Sequence, residues 1–157
     1  MYDASMYHAV KVDFRAPVIY SSTVHINASV EKVWSVLVGI ENWPSWQTDI
    51  VEAEFDGKLV AGNNFFWRNQ GTKIKSKLHT VHTFHAFGWT GRVMGIEAIH
   101  NWTLYAAESG TILRCEESMT GILAWILSSV LRSKLASGLE YWLGSLKIEC
   151  EKEPVCE

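Results

Sequence analysis

The chain has 157 residues, of which 48% are hydrophobic and 20% are charged, and its formal net charge is −3 at pH 7. These values are typical of a single soluble globular domain with a sizeable core, and they argue against a disordered chain and, without a basic stripe, against a nucleic-acid partner. The longest apolar run, Ile122–Leu131, is interrupted by two serines and is too short to span a bilayer.

The N-terminal residues and the cysteines both argue against secretion. Met1–Pro17 contains no apolar block, so we expect an extended N-terminal arm and not a secretory signal. Cys115, Cys150 and Cys156 are widely spaced and form no CxxC pair, which argues against a disulfide framework and a zinc site. We therefore expect a cytoplasmic protein, and the absence of a glycine-rich phosphate loop leads us to expect no cofactor.

The first predicted elements are one strand and two short helices. Val18–Ile26 is rich in β-branched residues, which favour a strand. Ser29 is a suitable N-cap for a helix whose apolar residues recur at helical spacing, and Gly39 suits the end of that helix. Pro44 then begins a second short helical turn, because proline fits the first turn of a helix.

Between residues 50 and 118 the hydrophobic period changes to two, which predicts strands. Short turn signals such as Asp56-Gly57 and Ser109-Gly110 separate them. The six predicted strands are Ile50–Phe55, Asn63–Asn69, Thr72–His82, Ala86–Met94, Ala98–Ala107 and Thr111–Ser118. Because parallel pairing needs long crossover connections, these tight turns predict an antiparallel sheet.

The chain closes with Ile122–Glu149, the longest helical pattern present. A curved sheet needs an apolar layer on its concave face, and only this helix is long enough to supply one. We therefore predict an α+β fold in which a curved seven-stranded antiparallel sheet wraps around a long C-terminal helix, with two short helices between strands 1 and 2. Sheet twist should leave an internal cavity between sheet and helix. Since the sequence has no repeat or linker, we expect residues 1–157 to form a single domain.

These elements, in this order and with these residues, resemble the START-like superfamily, also called SRPBCC or Bet v 1-like. The resemblance is greatest to its polyketide cyclase/dehydrase and lipid-transport branch. The matching stretches are Val33–Leu37, Glu41–Trp46, Ser76–Leu78, Trp89–Arg92, His100–Leu104, Gly110–Leu113 and Glu116–Ser118. The resemblance implies the helix-grip fold and a cavity for a hydrophobic ligand. Catalytic members are thought to steer a polyketone with polar cavity residues, often Arg and Tyr, whereas the inward positions here are mostly aromatic or aliphatic.

Alternation along the strands assigns a set of side chains to the face that looks toward the helix. The expected ligand-binding residues are Phe65, Trp67, Asn69, Ser76, Leu78, Trp89, Trp102, Leu113 and Cys115 on the strands, with Tyr141 and Trp142 on the final helix. Aromatic faces hold flat apolar molecules, and eight tryptophans are many for this length. We therefore expect a small hydrophobic ligand of aromatic, polyketide or lipid-like character.

Glu117 and His100 are the candidate catalytic residues. Adjacent strands would bring them together, and such a pair could act as acid and base, for example to enolise a ketone before ring closure or dehydration. A structural hydrogen bond is the other interpretation of the same two residues. Two alternative functions thus remain beside ligand binding: a polyketide cyclase or dehydratase, and a protein-interaction module without a ligand. A homodimer also stays open.

Other residues invite a functional interpretation that their spacing does not favour. His79, His82 and His85 recur every three residues, which on a strand places neighbours on opposite faces, so we expect a solvated hairpin end and no metal site. Arg68 and Arg92 alternate with inward aromatic positions and should face solvent or a neighbouring chain.

Overall fold

The structure is a computed structural model, and it describes residues 4–152. Cys156 and the first three residues of the predicted arm lie outside this range. The strands are β1 (Val18–Ile26), β2 (Ile50–Glu54), β3 (Asn64–Asn69), β4 (Thr72–His82), β5 (Ala86–Val93), β6 (Ile96–Ala106) and β7 (Thr111–Thr120). The α-helices are α1 (Val30–Val38), α2 (Trp43–Trp46), α3 (Ile122–Ile126) and α4 (Ser128–Glu151), and 3₁₀ turns cover Ala4–Tyr7 and Ile40–Asn42.

The seven strands form one antiparallel sheet in the order β1-β7-β6-β5-β4-β3-β2. Six of these strands follow one another as a meander, while β1 joins the free edge of β7, with Val18 opposite Met119. The register shifts between Leu78 and Thr80 in the β4–β5 ladder and between Ile50 and Glu52 in the β2–β3 ladder. The predicted helix-grip fold is confirmed, and the observed bounds of β1 and β4 are those predicted.

The two short helices that follow β1 are fixed by local hydrogen bonds and by burial. Ser29 Oγ accepts from the Lys32 N–H at 3.3 Å, so it caps α1 as predicted. The Trp43 Nε1–H donates to the Leu37 carbonyl at 2.9 Å, which ties α2 to the end of α1. Because Trp43 and Trp46 are both buried, these rings belong to the core.

The hairpin between β5 and β6 is tighter than predicted. Met94 (φ 49°) and Gly95 (φ 76°) both have positive φ and form a two-residue turn, so Val93 pairs directly with Ile96. β6 therefore begins two residues before the predicted start at Ala98. The prediction was wrong here because Met-Gly, unlike Asn-Gly, is not a common signal for this turn.

The final helical pattern forms two helices where one was predicted. Leu127 (φ −102°, ψ 20°) separates α3 from α4. Backbone hydrogen bonding continues across it: the Leu127 N–H donates to the Leu123 carbonyl and the Leu131 N–H to the Leu127 carbonyl, each at 2.9 Å. The junction is therefore a bend, which directs α3 onto the ends of β6 and β7. Within residues 4–152, no helix is both long and apolar enough to cross a membrane.

The core lies between the concave face of the sheet and α4. The α4 side chains buried there are Leu135, Leu139, Trp142, Leu143, Leu146 and Cys150. The Trp142 ring is central, since its centroid lies 5.3 Å from that of Trp43, 5.5 Å from Trp67 and 5.8 Å from Trp102. Such edge-to-face contacts bury large apolar area and position the rings relative to one another.

The chain before β1 lies against the outer face of the sheet. The Ala9 N–H donates to Thr80 Oγ1 and the Asp13 N–H to Ser118 Oγ, each at 2.9 Å. The Asn101 side-chain amide donates to the Val10 carbonyl at 2.9 Å. Residues 8–13 therefore bridge β4, β6 and β7 from outside, on the face opposite the core.

Candidate functional site

A cavity of about 280 Å³ lies between the sheet and α4. It opens beside a row of small side chains, because Ser76, Gly91 and Ala98 are direct neighbours across β4, β5 and β6. In the next row of inward-facing side chains, Leu78, Trp89 and other large residues replace the small ones. The cavity therefore ends at that row. The cavity thus arises where the register places small residues opposite the helix.

The cavity wall is mainly apolar, with polar groups at a few points. The apolar part is formed by Trp67, Ile74, Trp89, Val93, Ile96, Ala98, Met119, Leu131, Leu135, Leu139 and Trp142. The polar lining residues are Gln47, Asn69, Ser76, Arg92, His100, Glu117 and Lys134. An apolar wall with a few polar groups is the usual form of a small-molecule site.

His100 and Glu117 form a buried pair in the wall. They are directly opposite each other in the β6–β7 ladder, and His100 Nδ1 lies 2.5 Å from Glu117 Oε2. The Trp89 indole stacks on the imidazole, with ring centroids 4.3 Å apart and planes 6° from parallel. The predicted approach of these two residues is therefore observed, and the stacked indole fixes the plane of the imidazole.

Cys115 approaches the other nitrogen of the same imidazole. Its Sγ lies 3.4 Å from His100 Nε2, which gives the order thiol, imidazole, carboxylate found in cysteine nucleophile sites. Burial raises the pKa of the Cys115 thiol well above its usual value, and the residue does not line the cavity. A protonated thiol away from the cavity is a poor nucleophile. Glu117 and Cys115 contact the two ring nitrogens of His100. Of these three side chains, the Glu117 carboxylate is therefore the group that can reach a ligand.

The structure divides the sequence-predicted residues into three groups. Those that line the cavity are Trp67, Asn69, Ser76, Trp89, His100, Glu117 and Trp142. Those that are buried in the core without lining it are Phe65, Leu78, Trp102, Leu113 and Cys115. Tyr141 belongs to neither group: its side chain is 43% exposed and its hydroxyl lies 2.6 Å from Thr48 Oγ1. Tyr141 is thus outside the cavity, because the neighbouring α4 position, Trp142, is the one that faces the sheet.

Three polar lining residues were not predicted. Gln47 ends α2 and is buried, with its Oε1 accepting from the Asp49 N–H at 2.8 Å. Lys134 lies one residue before the buried Leu135, at the edge of the apolar stripe of α4, where a helical projection would have revealed it. Arg92 does face solvent as predicted, and pairs with Glu97 at 3.3 Å, yet it also borders the cavity mouth.

Two indole N–H groups in the cavity wall differ in their hydrogen bonding. The Trp67 Nε1–H donates to Ser76 Oγ at 3.0 Å. The buried Trp142 Nε1–H has no acceptor among residues 4–152. A buried donor without a partner is costly, by about 1–3 kcal/mol, unless a bound molecule supplies the acceptor.

The histidines of β4 and of the turn that follows it do not form a metal centre with each other. His82 and His85 are exposed at the hairpin, as predicted, and pack against Tyr7, whereas His79 is half-buried beside His8. In the part of the chain that the structure describes, no group of three or more His, Cys, Asp or Glu side chains is arranged to hold a metal ion.

Comparison with known proteins gives one family and many related folds. A family model described as polyketide cyclase / dehydrase and lipid transport matches residues 17–151. No curated protein matches the sequence. A hypothetical protein of Helicobacter pylori is similar in structure, with a TM-score of 0.73 at 16% identity over 85% of this chain and 87% of that one.

Two further solved structures are similar at the same level. A START superfamily protein from Mycobacterium smegmatis has a TM-score of 0.72 at 15% identity, over 85% of this chain and 97% of that one. The di-domain ARO/CYC StfQ from the steffimycin biosynthetic pathway has a TM-score of 0.74 at 11% identity, over 85% of this chain and 50% of that one. At these identities the likeness establishes the fold alone.

Proposed function

Since the chain belongs to the polyketide cyclase/dehydrase and lipid transport family, within the START-like superfamily, we propose that it binds a small hydrophobic molecule that carries a hydrogen-bond acceptor. The observation that supports this most is the buried Trp142 Nε1–H, which has no acceptor in residues 4–152 and belongs to an aromatic cavity wall. A carbonyl or ether oxygen on the ligand would accept from it and remove the cost of the unpaired donor.

The size and charge of the cavity narrow the class of ligand. Its volume of about 280 Å³ is just below the roughly 300–1,000 Å³ typical of ligand pockets. The indoles of Trp67 and Trp89 offer flat apolar faces. At the mouth, Lys134 has no carboxylate partner within residues 4–152, so it can attract an acidic group. We therefore favour a molecule of one or two rings, or a short acyl chain, with a carbonyl or carboxylate.

Filling the cavity tests this proposal. A Cβ at Gly91 would lie 3.2 Å from Ser76 Oγ and 3.4 Å from Ile74 Cγ2, so these two side chains must shift by a few tenths of an ångström to admit Gly91→Val, whose methyl groups then occupy the space a ligand needs. We expect at least a tenfold loss of affinity, about 1.4 kcal/mol or more, for flat aromatic ketones, quinones and medium-chain fatty acids titrated by tryptophan fluorescence.

Gly71→Ala is the matched control, since a Cβ there meets nothing within 4 Å and the residue is outside the cavity. Native mass spectrometry of the purified protein would identify a carried molecule directly. Equal affinities in both variants, with no carried molecule, would place the binding site elsewhere or exclude it.

A second candidate function is a reaction in the same cavity. The contact of 2.5 Å between His100 Nδ1 and Glu117 Oε2, in a mainly apolar wall, favours proton abstraction by the Glu117 carboxylate from the carbon beside a ligand carbonyl. The proton moves to the carboxylate, the C–H electron pair forms the enolate, and His100 acts as a positioning residue. Glu117→Gln should abolish turnover of a polyketone mimic and leave binding of the mimic in place; unchanged turnover would exclude this chemistry.

A further inference from the structure

An exposed apolar patch lies where α3 bends into α4. Its members are large apolar side chains, each between 45% and 78% exposed: Ile122, Trp125, Ile126, Leu127 and Val130. Residues three and four apart share one face of a helix, so these side chains form one surface, here called the α3 patch. Single exposed apolar residues are ordinary, but a contiguous group of this kind marks a site of interaction.

The β5–β6 turn adds to the same surface. A Cβ at Gly121 would lie 2.2 Å from the Gly95 carbonyl oxygen, so the start of α3 lies directly against this turn. Met94 in the turn is 78% exposed. The α3 patch therefore continues onto the end of the β5–β6 hairpin, and the cavity lies beside it, because Val93 on one side and Leu131 on the other both line the cavity.

Charges around the patch are positive in sum. On the β5–β6 hairpin, Arg92 and Glu97 offset each other as a pair 3.3 Å apart. Between Glu117 and Glu140 the sequence has no acidic residue, and the two charged side chains in that interval are Arg132 and Lys134. A chain with a formal net charge of −3 therefore presents a locally cationic border beside this apolar surface. An anionic partner would be attracted there and repelled by much of the remaining surface.

The size of the patch favours a bilayer over a second copy of the chain as its partner. A stable protein–protein interface takes roughly 20–30 residues a side, whereas the α3 patch and Met94 together supply six large apolar side chains. A helix that lies in a membrane interface needs only one apolar face, with tryptophan at headgroup depth and Lys or Arg beside it. Trp125, Arg132 and Lys134 meet that description.

We infer that the α3 patch docks on the surface of an anionic lipid bilayer and holds the cavity mouth against it. The patch and its charges carry this inference by themselves. Only the consequence that a ligand passes between bilayer and cavity rests on the proposed function.

Trp125 gives a selective readout of docking. It is 66% exposed, whereas the other seven tryptophans are at most 9% exposed. Iodide should therefore quench mainly Trp125 in the free protein. We expect vesicles of phosphatidylcholine mixed with phosphatidylglycerol to bind the protein in flotation assays and to protect Trp125 from iodide. Phosphatidylcholine alone should bind less, and salt should weaken binding to the mixed vesicles.

Substitution in the patch provides the decisive comparison. Trp125→Ser combined with Ile126→Ser should lower vesicle affinity at least about tenfold, because binding at an interface scales with buried apolar area. Both side chains are exposed, so the fold should not change. Ile148→Ser is the matched control, since Ile148 is 67% exposed at the opposite end of α4, and its vesicle affinity should equal that of the unchanged protein.

Three results would overturn the inference. One is an absence of binding to both vesicle compositions; a second is equal loss of binding in the Ile148→Ser control. The third is self-association of the free protein that the double substitution abolishes, which would assign the patch to a second copy. Ligand titration in detergent-free buffer separates the two proposals: retained ligand binding without vesicle binding refutes docking and leaves the proposed function in place.

Discussion

The buried indole N–H groups differ in what surrounds them. Those of Trp102 and Trp142 both lack an acceptor within residues 4–152, but only the Trp142 ring lines the cavity. Their rings are neighbours in the same aromatic core, with centroids 5.8 Å apart. Substitution of each tryptophan in turn can therefore distinguish a role of the indole N–H in ligand binding from a role of the ring in core packing.

Replacement of Trp142 by phenylalanine removes the donor and keeps an aromatic ring. We expect affinity for a ketone or quinone to fall about two- to tenfold, which corresponds to the roughly 0.5–1.5 kcal/mol of a neutral hydrogen bond. Affinity for a hydrocarbon of the same shape should change much less. Fluorescence titration of both ligands measures the difference. Trp102→Phe should leave both affinities unchanged, and an equal loss in the two variants would mean that core packing, not the Trp142 N–H, supports binding.

At the same scale, the sequence predicted four of the five polar lining residues on strands and missed Arg92 on β5, Gln47 and Lys134. Asn69, Ser76, His100 and Glu117 were identified because period two assigns each to a face, and the observed register places all four in the cavity wall. Gln47 has no periodic neighbour, since it follows a single helical turn, so its place was set only by tertiary packing.

Among the secondary-structure elements, turns with an established signal were predicted well and bends without one were not. The Ser109-Gly110 turn follows the rule that glycine supplies positive φ, with Gly110 at φ 85°. The bend at Leu127 contains no glycine or proline, and it follows from packing of α3 on the strand ends. Local sequence therefore predicts strands and turns here, while the division of the last helix depends on contacts distant in sequence.

The contact between α3 and the β5–β6 turn predicts a backbone requirement at Gly121. This residue has φ 115°, and a Cβ would lie 2.2 Å from the Gly95 carbonyl oxygen. Gly121→Ala should therefore lower the free energy of unfolding by about 2 kcal/mol or more, as strain of this kind costs of order 1–3 kcal/mol before any clash. Denaturant titration measures this change in the free energy of unfolding.

Gly144→Ala is the control for that substitution. Gly144 lies inside α4, and a Cβ there meets nothing within 4 Å. Alanine should raise the free energy of unfolding by up to about 1 kcal/mol, because glycine is the poorer helix former. If both alanine variants were equally stable, α3 would not be held against the turn, and the α3 patch would lose its fixed position beside the cavity.

In the molecule as a whole, the sheet is covered on both faces at its centre. α4 lies on the inner face, and residues 8–13 lie on the outer face, where His8 Nε2 is 3.0 Å from Thr103 Oγ1. β6 joins the two layers, since Asn101 and Thr103 face the arm while His100 lines the cavity. The sequence predicted an arm but not its docking, because nothing periodic in residues 1–17 shows which surface they cover.

The docked arm makes stability depend on pH. Burial lowers the pKa of His8 and of His79 each to about 4, and for His8 the nearby His79 adds to this effect. In the unfolded chain both titrate near 6.5. Between pH 6.5 and about 4 the unfolded state therefore binds more protons, so the free energy of unfolding falls as pH falls, by up to about 1.4 kcal/mol per pH unit for each histidine.

Denaturant titration at pH 7 and pH 5 measures this loss, and two substitutions assign it. His79→Gln should reduce the pH dependence, because glutamine does not titrate, whereas His82→Gln should not, since His82 is exposed. Deletion of residues 1–12 removes His8 and uncovers His79. Most of the pH dependence of the free energy of unfolding should therefore be lost. The deletion should also increase hydrogen exchange at the β6 amides near Asn101. A truncated protein with the full pH dependence and unchanged exchange would show that the arm does not hold β6.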